Sequence, residues 1–248
     1  MTSSIDLNAD LGEGCAFDAE LMSVISSCNI ACGGHAGDET SMRTALQLAK
    51  DHQVAAGAHP SFPDRENFGR TRSALSGAEL ETALHDQVAA LNQIADQLGV
   101  RLTHLKPHGA LYNMAAQDSG LSDSICNVLD SALRGARLVG PPASKLQAAA
   151  EARGIAFIPE GFADRAYEPD GQLRDRQKTG AVFHEAERQV DQATEIALKR
   201  QVTTHEGEII ALPAETICVH GDTPGAFAAA RAIRAALKAK EIEICAPD

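Results

Sequence analysis

The chain has 248 residues and a formal charge of −12, from 22 basic and 34 acidic side chains. This length suits one large α/β domain, residues 1–248, and the acidic balance disfavours nucleic-acid binding. No apolar run is long enough to cross a bilayer, and the first residues lack the regions of a secretory signal, so we expect a soluble, cytoplasmic protein that contacts neither nucleic acid nor membrane.

Seven short apolar segments, partly β-branched, alternate with helical segments along the chain. Their composition is typical of strands that are buried on both faces. The predicted strands are residues 4–7, 29–31, 54–58, 102–105, 137–139, 155–158 and 216–219. Repeated strand–helix units predict a parallel sheet with right-handed crossovers.

Helices are predicted between the strands from capping residues and apolar stripes. Ser76 and Glu79 form a capping box at the start of a helix that Gly99 ends. Thr223 followed by Pro224 is typical of the start of a last helix. Two further amphipathic helices are predicted over residues 143–153 and 185–200.

Ionisable residues follow many of these strands, and their distribution over several strands helps to decide between an open sheet and a closed barrel. The polar clusters lie at residues 8–13, 33–38, 57–60, 106–109 and 220–222. An open doubly wound sheet concentrates its site at one switch point, whereas the strands of a barrel all end at one mouth. The spread therefore favours a closed (β/α) barrel, distorted because only seven strands are predicted, with an active site at its mouth.

Two long polar loops follow strands and carry arginines. The first covers residues 61–73 with Arg65 and Arg70, and the second covers residues 159–180 with Arg165 and Arg176. Long loops in compact domains are commonly lids or binding loops, and arginines suit closure over an anionic ligand. The alternative is a solvated loop whose arginines pair with local carboxylates.

Acidic residues at the first and last strands would be neighbours in a closed barrel. Asp10, Glu13 and Asp222 offer oxygen ligands that suit Mg²⁺. Imidazoles at the same mouth would suit Zn²⁺ or Mn²⁺ instead, and they belong to His35, His59 and His220. No short ligand motif supports a dedicated site, so we expect no tightly bound metal, and a hydrogen-bonded polar network is the alternative.

The segment Lys106-Pro107-His108 places a cation and an imidazole at one strand end. Lys106 would stabilise a phosphate or a developing oxyanion, and His108 would act in acid–base catalysis. The alternative is a structural lysine paired with a carboxylate. If both residues serve catalysis at the mouth, their substitution should spare stability. The sequence contains neither of the common glycine-rich nucleotide motifs.

Taken together, these segments resemble the LamB/YcsF family. The matching segments are residues 6–13, 29–38, 57–65, 68–70, 106–113, 160–167 and 219–222, in order along nearly the whole chain. The resemblance implies a seven-stranded, deacetylase-like barrel. It also implies ATP-dependent opening of 5-oxo-L-proline to L-glutamate, in concert with subunits B and C of a 5-oxoprolinase, and it is compatible with a homo-oligomer.

The implied reaction suggests roles for the polar residues. ATP would phosphorylate the lactam oxygen, which requires cations for phosphate, a base for water and a clamp for the substrate carboxylate. The predicted catalytic residues are Asp10, His59, Lys106, His108 and His220. The predicted substrate- and phosphate-binding residues are Asn8, His35, Arg65, Arg70, Arg165 and Arg176. Mg²⁺ brought by ATP would be held by Asp10, Glu13 and Asp222.

Two other readings of the sequence remain open at this point. A barrel mouth with His and Asp would also support a metal-dependent deacetylase or amidohydrolase that needs no ATP. Alternatively, the chain is a non-catalytic scaffold within a larger complex. Bound Zn²⁺ would favour the hydrolase, and full turnover after loss of the polar residues would favour the scaffold.

Overall fold

The computed structural model describes residues 4–75, 77–220 and 225–247. Strands and helices alternate along most of this length. In chain order they are β1 (Ser4–Leu11), α1 (Asp18–Met22), β2 (Ser27–Ala31), α2 (Glu39–His52), β3 (Ala55–His59), α3 (Gly77–Leu98), β4 (Leu102–Leu105), α4 (Gly109–Ala115), α5 (Ser119–Ala132), β5 (Arg137–Gly140), α6 (Lys145–Ala152), β6 (Phe157–Phe162), α7 (Ala186–Lys199), β7 (Gln201–Thr203), β8 (Ile209–Ala211), β9 (Thr216–Val219), α8 (Ala226–Ala239) and β10 (Glu243–Ile244).

Seven parallel strands close into a barrel. The hydrogen-bonded order is β1-β2-β3-β4-β5-β6-β9, and β9 pairs back to β1. Asn8 marks the closure, because it lies opposite Ser27 of β2 and Cys218 of β9. The closed, distorted barrel predicted from the sequence is confirmed, and the open sheet is excluded.

Two small additions to the barrel were not predicted. Strands β7 and β8 form an antiparallel hairpin between α7 and β9. Strand β10 pairs with the beginning of β1, where Ser4 lies opposite Glu243. Both additions involve strands of two or three residues, which are too short to give a recognisable apolar pattern.

The barrel strands are buried on both faces, as predicted, but the face that lines the barrel interior is polar. Along β1, Leu7 and Leu11 lie in the apolar layer under the helices, whereas Asp6 and Asn8 point the other way, as the two-residue period requires. Asp6 accepts hydrogen bonds from Ser27 and from Thr216 of β9. Buried polar groups are tolerated there because they bond to one another across the lumen.

Gly57 makes room for one of these lumen side chains. A Cβ atom at this position would lie 2.2 Å from the ring of His104, so only glycine lets the imidazole enter. The ring bonds Asn29 through Nε2 at 2.9 Å. His104 thereby fills the middle of the barrel below the residues at the mouth.

Several helix predictions can be compared with the structure directly. Helix α3 ends before Gly99, which has a left-handed φ of 67° as predicted for a terminating glycine. Helices α6 and α7 match the segments predicted over residues 143–153 and 185–200 to within two residues at each end. The predicted caps at Ser76 and at Thr223-Pro224 lie outside the described residues. In the described part of the chain, no helix has both the length and the apolar character needed to span a membrane.

Candidate active site

A cavity of about 670 Å³ opens at the carboxyl ends of the barrel strands. Segments of the two long loops form its sides. The residues of its wall that were predicted from the sequence are Asp10, Glu13, His59, Arg70, Lys106, His108, Arg165, Arg176 and His220. Asp222, predicted as a magnesium ligand, lies outside the described residues.

Lys106 lies at the floor of the cavity between two carboxylates. Its Nζ is 2.9 Å from Asp10 Oδ1 and 2.8 Å from Glu160 Oε1, and it donates to Cys218 Sγ at 3.2 Å. Burial would lower the pKa of Lys106, but the surrounding anionic groups, Asp10 first, outweigh burial and hold this pKa well above its ordinary value. Lys106 therefore stays charged, and the structure shows it paired with two carboxylates at the cavity wall.

Asp10 lies within β1 rather than after it, and its carboxylate contacts three other side chains. Oδ1 accepts from Lys106 and from Asn29 Nδ2 at 2.8 Å, and Oδ2 lies 3.3 Å from His59 Nε2. Burial would raise the pKa of Asp10, but the charges of His59 and Lys106 keep it well below its ordinary value. Asp10 is thus a buried carboxylate at the cavity wall.

Asn8 lies one lumen layer below Asp10 and does not reach the cavity wall. Its amide donates to Glu160 Oε1 and to Thr216, and its oxygen accepts from Asn29. The predicted contact with substrate is corrected accordingly, because the structure gives Asn8 the task of holding Glu160 in place.

Three histidines and one glutamate form a compact group beside Asp10. His59 Nε2 lies 2.9 Å from His108 Nδ1, and Glu13 Oε1 lies 3.5 Å from His108 Nδ1 and 3.9 Å from His59 Nε2. His35 stacks on His108 with parallel rings 3.6 Å apart and bonds Glu13 at 3.0 Å. We call Glu13, His35, His59 and His108 the histidine cluster.

Within the histidine cluster, burial keeps two rings uncharged. It lowers the pKa of His35 to about 4. It also holds the pKa of His108 well below its ordinary value, with His59 and His35 adding to this effect. His35 lies behind His108 and is not part of the cavity wall, so its predicted contact with substrate is corrected to a packing and hydrogen-bonding role.

His220 is held by a carboxylate that sequence reasoning missed. Its Nδ1 lies 3.0 and 2.8 Å from the two oxygens of Asp164, and its ring stacks on Phe162. Burial would lower the pKa of His220, but Asp164 outweighs burial and raises it. The signal was present in the sequence, since Asp164 lies in the segment that follows the sixth strand.

Glu160 was also missed as a site residue. Strand β6 continues through Pro159 to Phe162, although proline is rare inside strands and usually marks an end. The carbonyl of Pro159 still accepts from the amide of Glu215, so the ladder continues. Glu160 therefore points into the barrel and meets Lys106 instead of lying in a loop.

Two predicted anion-binding arginines are engaged with the backbone. Arg65 Nη1 donates to the carbonyls of Gly33 and Gly37, both at 2.9 Å, and is not part of the cavity wall. Arg165 donates to the carbonyls of Ala181 and Arg174, and only 6% of it is exposed. The phosphate contact predicted for Arg65 is corrected to a role in shaping the turn after β2.

Nearly the whole chain matches known proteins. The model of the LamB/YcsF family matches residues 5–248. The A subunit of 5-oxoprolinase from Histophilus somni (strain 129Pt) is 44% identical over 238 residues, 96% of each chain. The A subunit of 5-oxoprolinase from Methylococcus capsulatus (strain ATCC 33009 / NCIMB 11132 / Bath) is 43% identical over 251 residues, 99% of this chain and 96% of that one.

Solved structures share the fold. The lactam utilization protein from Thermus thermophilus superposes with a TM-score of 0.91 at 36% identity and covers 98% of this chain and 100% of its own. A family 4 carbohydrate esterase from Streptomyces lividans superposes with a TM-score of 0.53 at 11% identity over 98% of this chain and 91% of its own, which shows a common barrel alone. The match over residues 5–248 and these full-length relatives establish that the chain belongs to the LamB/YcsF family.

Proposed function

We propose that this protein opens the lactam ring of 5-oxo-L-proline to give L-glutamate, coupled to ATP hydrolysis, as one subunit of a 5-oxoprolinase that also contains subunits B and C. The observation that carries the proposal is the 43–44% identity, over 96–99% of the chain, to two proteins named as the A subunit of 5-oxoprolinase. The cavity supports it by supplying cationic, carboxylate and imidazole groups at one barrel mouth.

The proposed reaction makes a poor electrophile reactive. The lactam oxygen takes the γ-phosphoryl group of ATP, and ADP leaves. Water adds to the activated carbon, the carbon–nitrogen bond breaks, and the nitrogen gains a proton. A second water releases inorganic phosphate, so that one ATP and two waters give L-glutamate, ADP and phosphate.

His220 suits the proton transfer to the leaving nitrogen. Asp164 raises its pKa, so the ring is protonated over more of the neutral range than an ordinary histidine. His59 and His108 also lie at the cavity wall and remain candidates for the base that takes a proton from water.

Anionic groups of the substrates would meet cations around the cavity. Arg70 and Arg176 lie at the wall, where guanidinium groups suit a carboxylate or a phosphate. Arg165 also lies at the wall, although its hydrogen bonds go to the loop backbone. Mg²⁺ would enter with ATP, and Asp10 and Glu13 are wall carboxylates that suit it.

The partner subunits are proposed to contribute the nucleotide site. The sequence lacks the common phosphate-binding loops, and Lys106 is already neutralised by Asp10 and Glu160. We therefore propose that ATP binds where this chain meets subunits B and C, or on those subunits.

The test is glutamate release from 5-oxoproline by the purified chain alone, by subunits B and C alone, and by the mixture, each with and without ATP. We expect turnover only in the mixture with ATP. His220→Asn should lower turnover by about 10²-fold or more, whereas His184→Asn, an exposed histidine, serves as the control. Turnover without ATP would contradict the proposal. Subunits B and C alone turning over as fast as the full mixture would also contradict it.

A further inference from the structure

In the histidine cluster, His59 and His108 are fixed in tautomers that leave a nitrogen lone pair of each ring facing the other ring. His59 Nδ1 lies 2.8 Å from the carbonyl of Lys106, and His108 Nε2 lies 3.0 Å from the carbonyl of Phe68. Carbonyl oxygens only accept hydrogen bonds, so each of these nitrogens must carry the hydrogen. In the neutral rings, His59 Nε2 and His108 Nδ1 are then both acceptors, although they lie only 2.9 Å apart.

Carboxylate oxygens crowd the same point. Asp10 Oδ2 lies 3.3 Å from His59 Nε2, and Glu13 Oε1 lies 3.5 Å from His108 Nδ1. Four electron-rich atoms that face one another without a shared hydrogen repel, and burial strengthens this repulsion. The arrangement therefore calls for a positive charge at its centre, which a bound cation would supply.

The spacing of the donors fits a metal ion. Ligands at 2.0–2.1 Å around a tetrahedral ion are separated by about 3.4 Å. The three separations among His59 Nε2, His108 Nδ1 and Glu13 Oε1 are 2.9, 3.5 and 3.9 Å. With one ring nitrogen of His35 included, all four donor atoms lie within 4.8 Å of one another.

The surroundings of these donors are those that metal ligands need. A ligating histidine commonly donates its other N–H to a backbone carbonyl, as both His59 and His108 do here. His35 bonds Glu13 at 3.0 Å and so orients the carboxylate. Because the three donors also line the cavity, a fourth ligand could reach an ion from that side.

We infer that Glu13, His59 and His108 bind one divalent transition-metal ion of the zinc class, with a coordination position open to the cavity. Two imidazoles favour this class over Mg²⁺, which prefers oxygen ligands. The inference departs from the sequence-based expectation of no tightly bound metal, because the donors come from three separate segments and form no short motif. It reassigns Glu13, His59 and His108, which the proposed reaction offers for Mg²⁺ and for the base, to a metal site of this chain, and its test measures occupancy and not turnover.

The test loads the chelator-treated full-length chain with Zn²⁺ and measures metal content after gel filtration. We expect one ion per chain, a higher melting temperature with Zn²⁺, and no such effect of Mg²⁺. His59→Gln and His108→Gln should each weaken Zn²⁺ binding by roughly 100-fold or more. His184→Gln, an exposed histidine away from the cluster, should bind as the unchanged protein does.

Lack of stoichiometric Zn²⁺ in the unchanged chain would overturn the inference. Undiminished binding by both ligand variants would also overturn it. Should those variants fail to fold, X-ray absorption of the Zn²⁺-loaded unchanged chain decides, because it must show two imidazole ligands. Turnover is not measured, so a failure here is distinct from a failure of the proposed reaction.

Discussion

Lys106 illustrates how one residue serves both the barrel interior and the cavity. Its ammonium group lies against Asp10 and Glu160, and only 2% of the residue is exposed. Removal of the cation would leave two buried carboxylates without the ion-pair partner that they share. These contacts argue against the expectation that substitution spares stability, which treated Lys106 as a group at the edge of the mouth.

Lys106→Ala should therefore lower the free energy of unfolding by about 3–5 kcal/mol, the usual cost of breaking a buried ion pair by removing one partner. The measurement is urea unfolding at neutral pH. Lys145→Ala, at an exposed lysine, should change the same quantity by less than about 0.5 kcal/mol. A loss below about 1 kcal/mol for Lys106→Ala would show that the carboxylates find other partners or take up protons.

Asp164 and His220 form a second residue-scale unit with a defined pH dependence. Asp164 raises the pKa of His220, so this pairing stabilises the fold fully below the ordinary histidine pKa of about 6.5. The contribution is lost as pH rises through the raised pKa of His220. At low pH it is also lost when Asp164 takes a proton, which happens below its ordinary range because His220 lowers the pKa of that carboxyl against the effect of burial.

Asp164→Asn should consequently destabilise the protein most at mildly acidic pH and least above the raised pKa of His220. If His220 is the acid of the reaction, kcat/KM should fall as pH rises and His220 loses its proton. In the variant this fall should begin at a lower pH than in the unchanged protein. The measurements are urea unfolding across pH and the pH–rate profile of the complete complex. A loss of stability that does not depend on pH would show that Asp164 contributes through packing and not through its charge interaction with His220.

At the scale of elements, the loop between β6 and α7 is held together by Arg165. The guanidinium donates to Ala181 and Arg174, and the backbone of Arg165 pairs with Val182 in an antiparallel bridge. Predicted from sequence as a clamp on the substrate carboxylate, this side chain instead ties both sides of the loop. A loop held in this way keeps Arg176 at the cavity wall.

Arg165→Ala should raise the rate of protease cleavage within the loop between β6 and α7, because about 1.5–3 kcal/mol of hydrogen bonding from a charged group to the loop carbonyls is lost. It should also raise KM for 5-oxoproline, because the loosened loop no longer holds Arg176 at the cavity wall. Limited proteolysis and steady-state kinetics of the complex measure the two effects. Lys178→Ala in the same loop is the control, because Lys178 is exposed and its pair with Glu168 is 3.6 Å long. A raised KM without faster cleavage would restore Arg165 as a direct contact with substrate.

At the scale of the whole molecule, sequence reasoning succeeded where the signal is local. Apolar runs identified the seven barrel strands, and ionisable residues at strand ends identified the mouth. It failed where contacts between distant segments determine the structure. Glu160 is an example, because the preceding proline argued against a strand at that point. The stacking of His35 on His108 and the engagement of Arg65 by two carbonyls depend on three-dimensional placement that no spacing in the chain reveals.

The charge distribution gives the last prediction. The chain carries a formal charge of −12, yet arginines gather at the cavity, which would draw an anionic substrate toward it. Because charges more than about 10 Å apart are largely screened at 0.1 M salt, kcat/KM for 5-oxoproline should fall as NaCl is raised. Arg72→Gln, at the cavity wall, should flatten this dependence. Arg134→Gln is the matched control, since this exposed arginine precedes β5 at the opposite end of the barrel. An equal salt dependence in both variants would show that the arginines at the mouth do not steer the substrate.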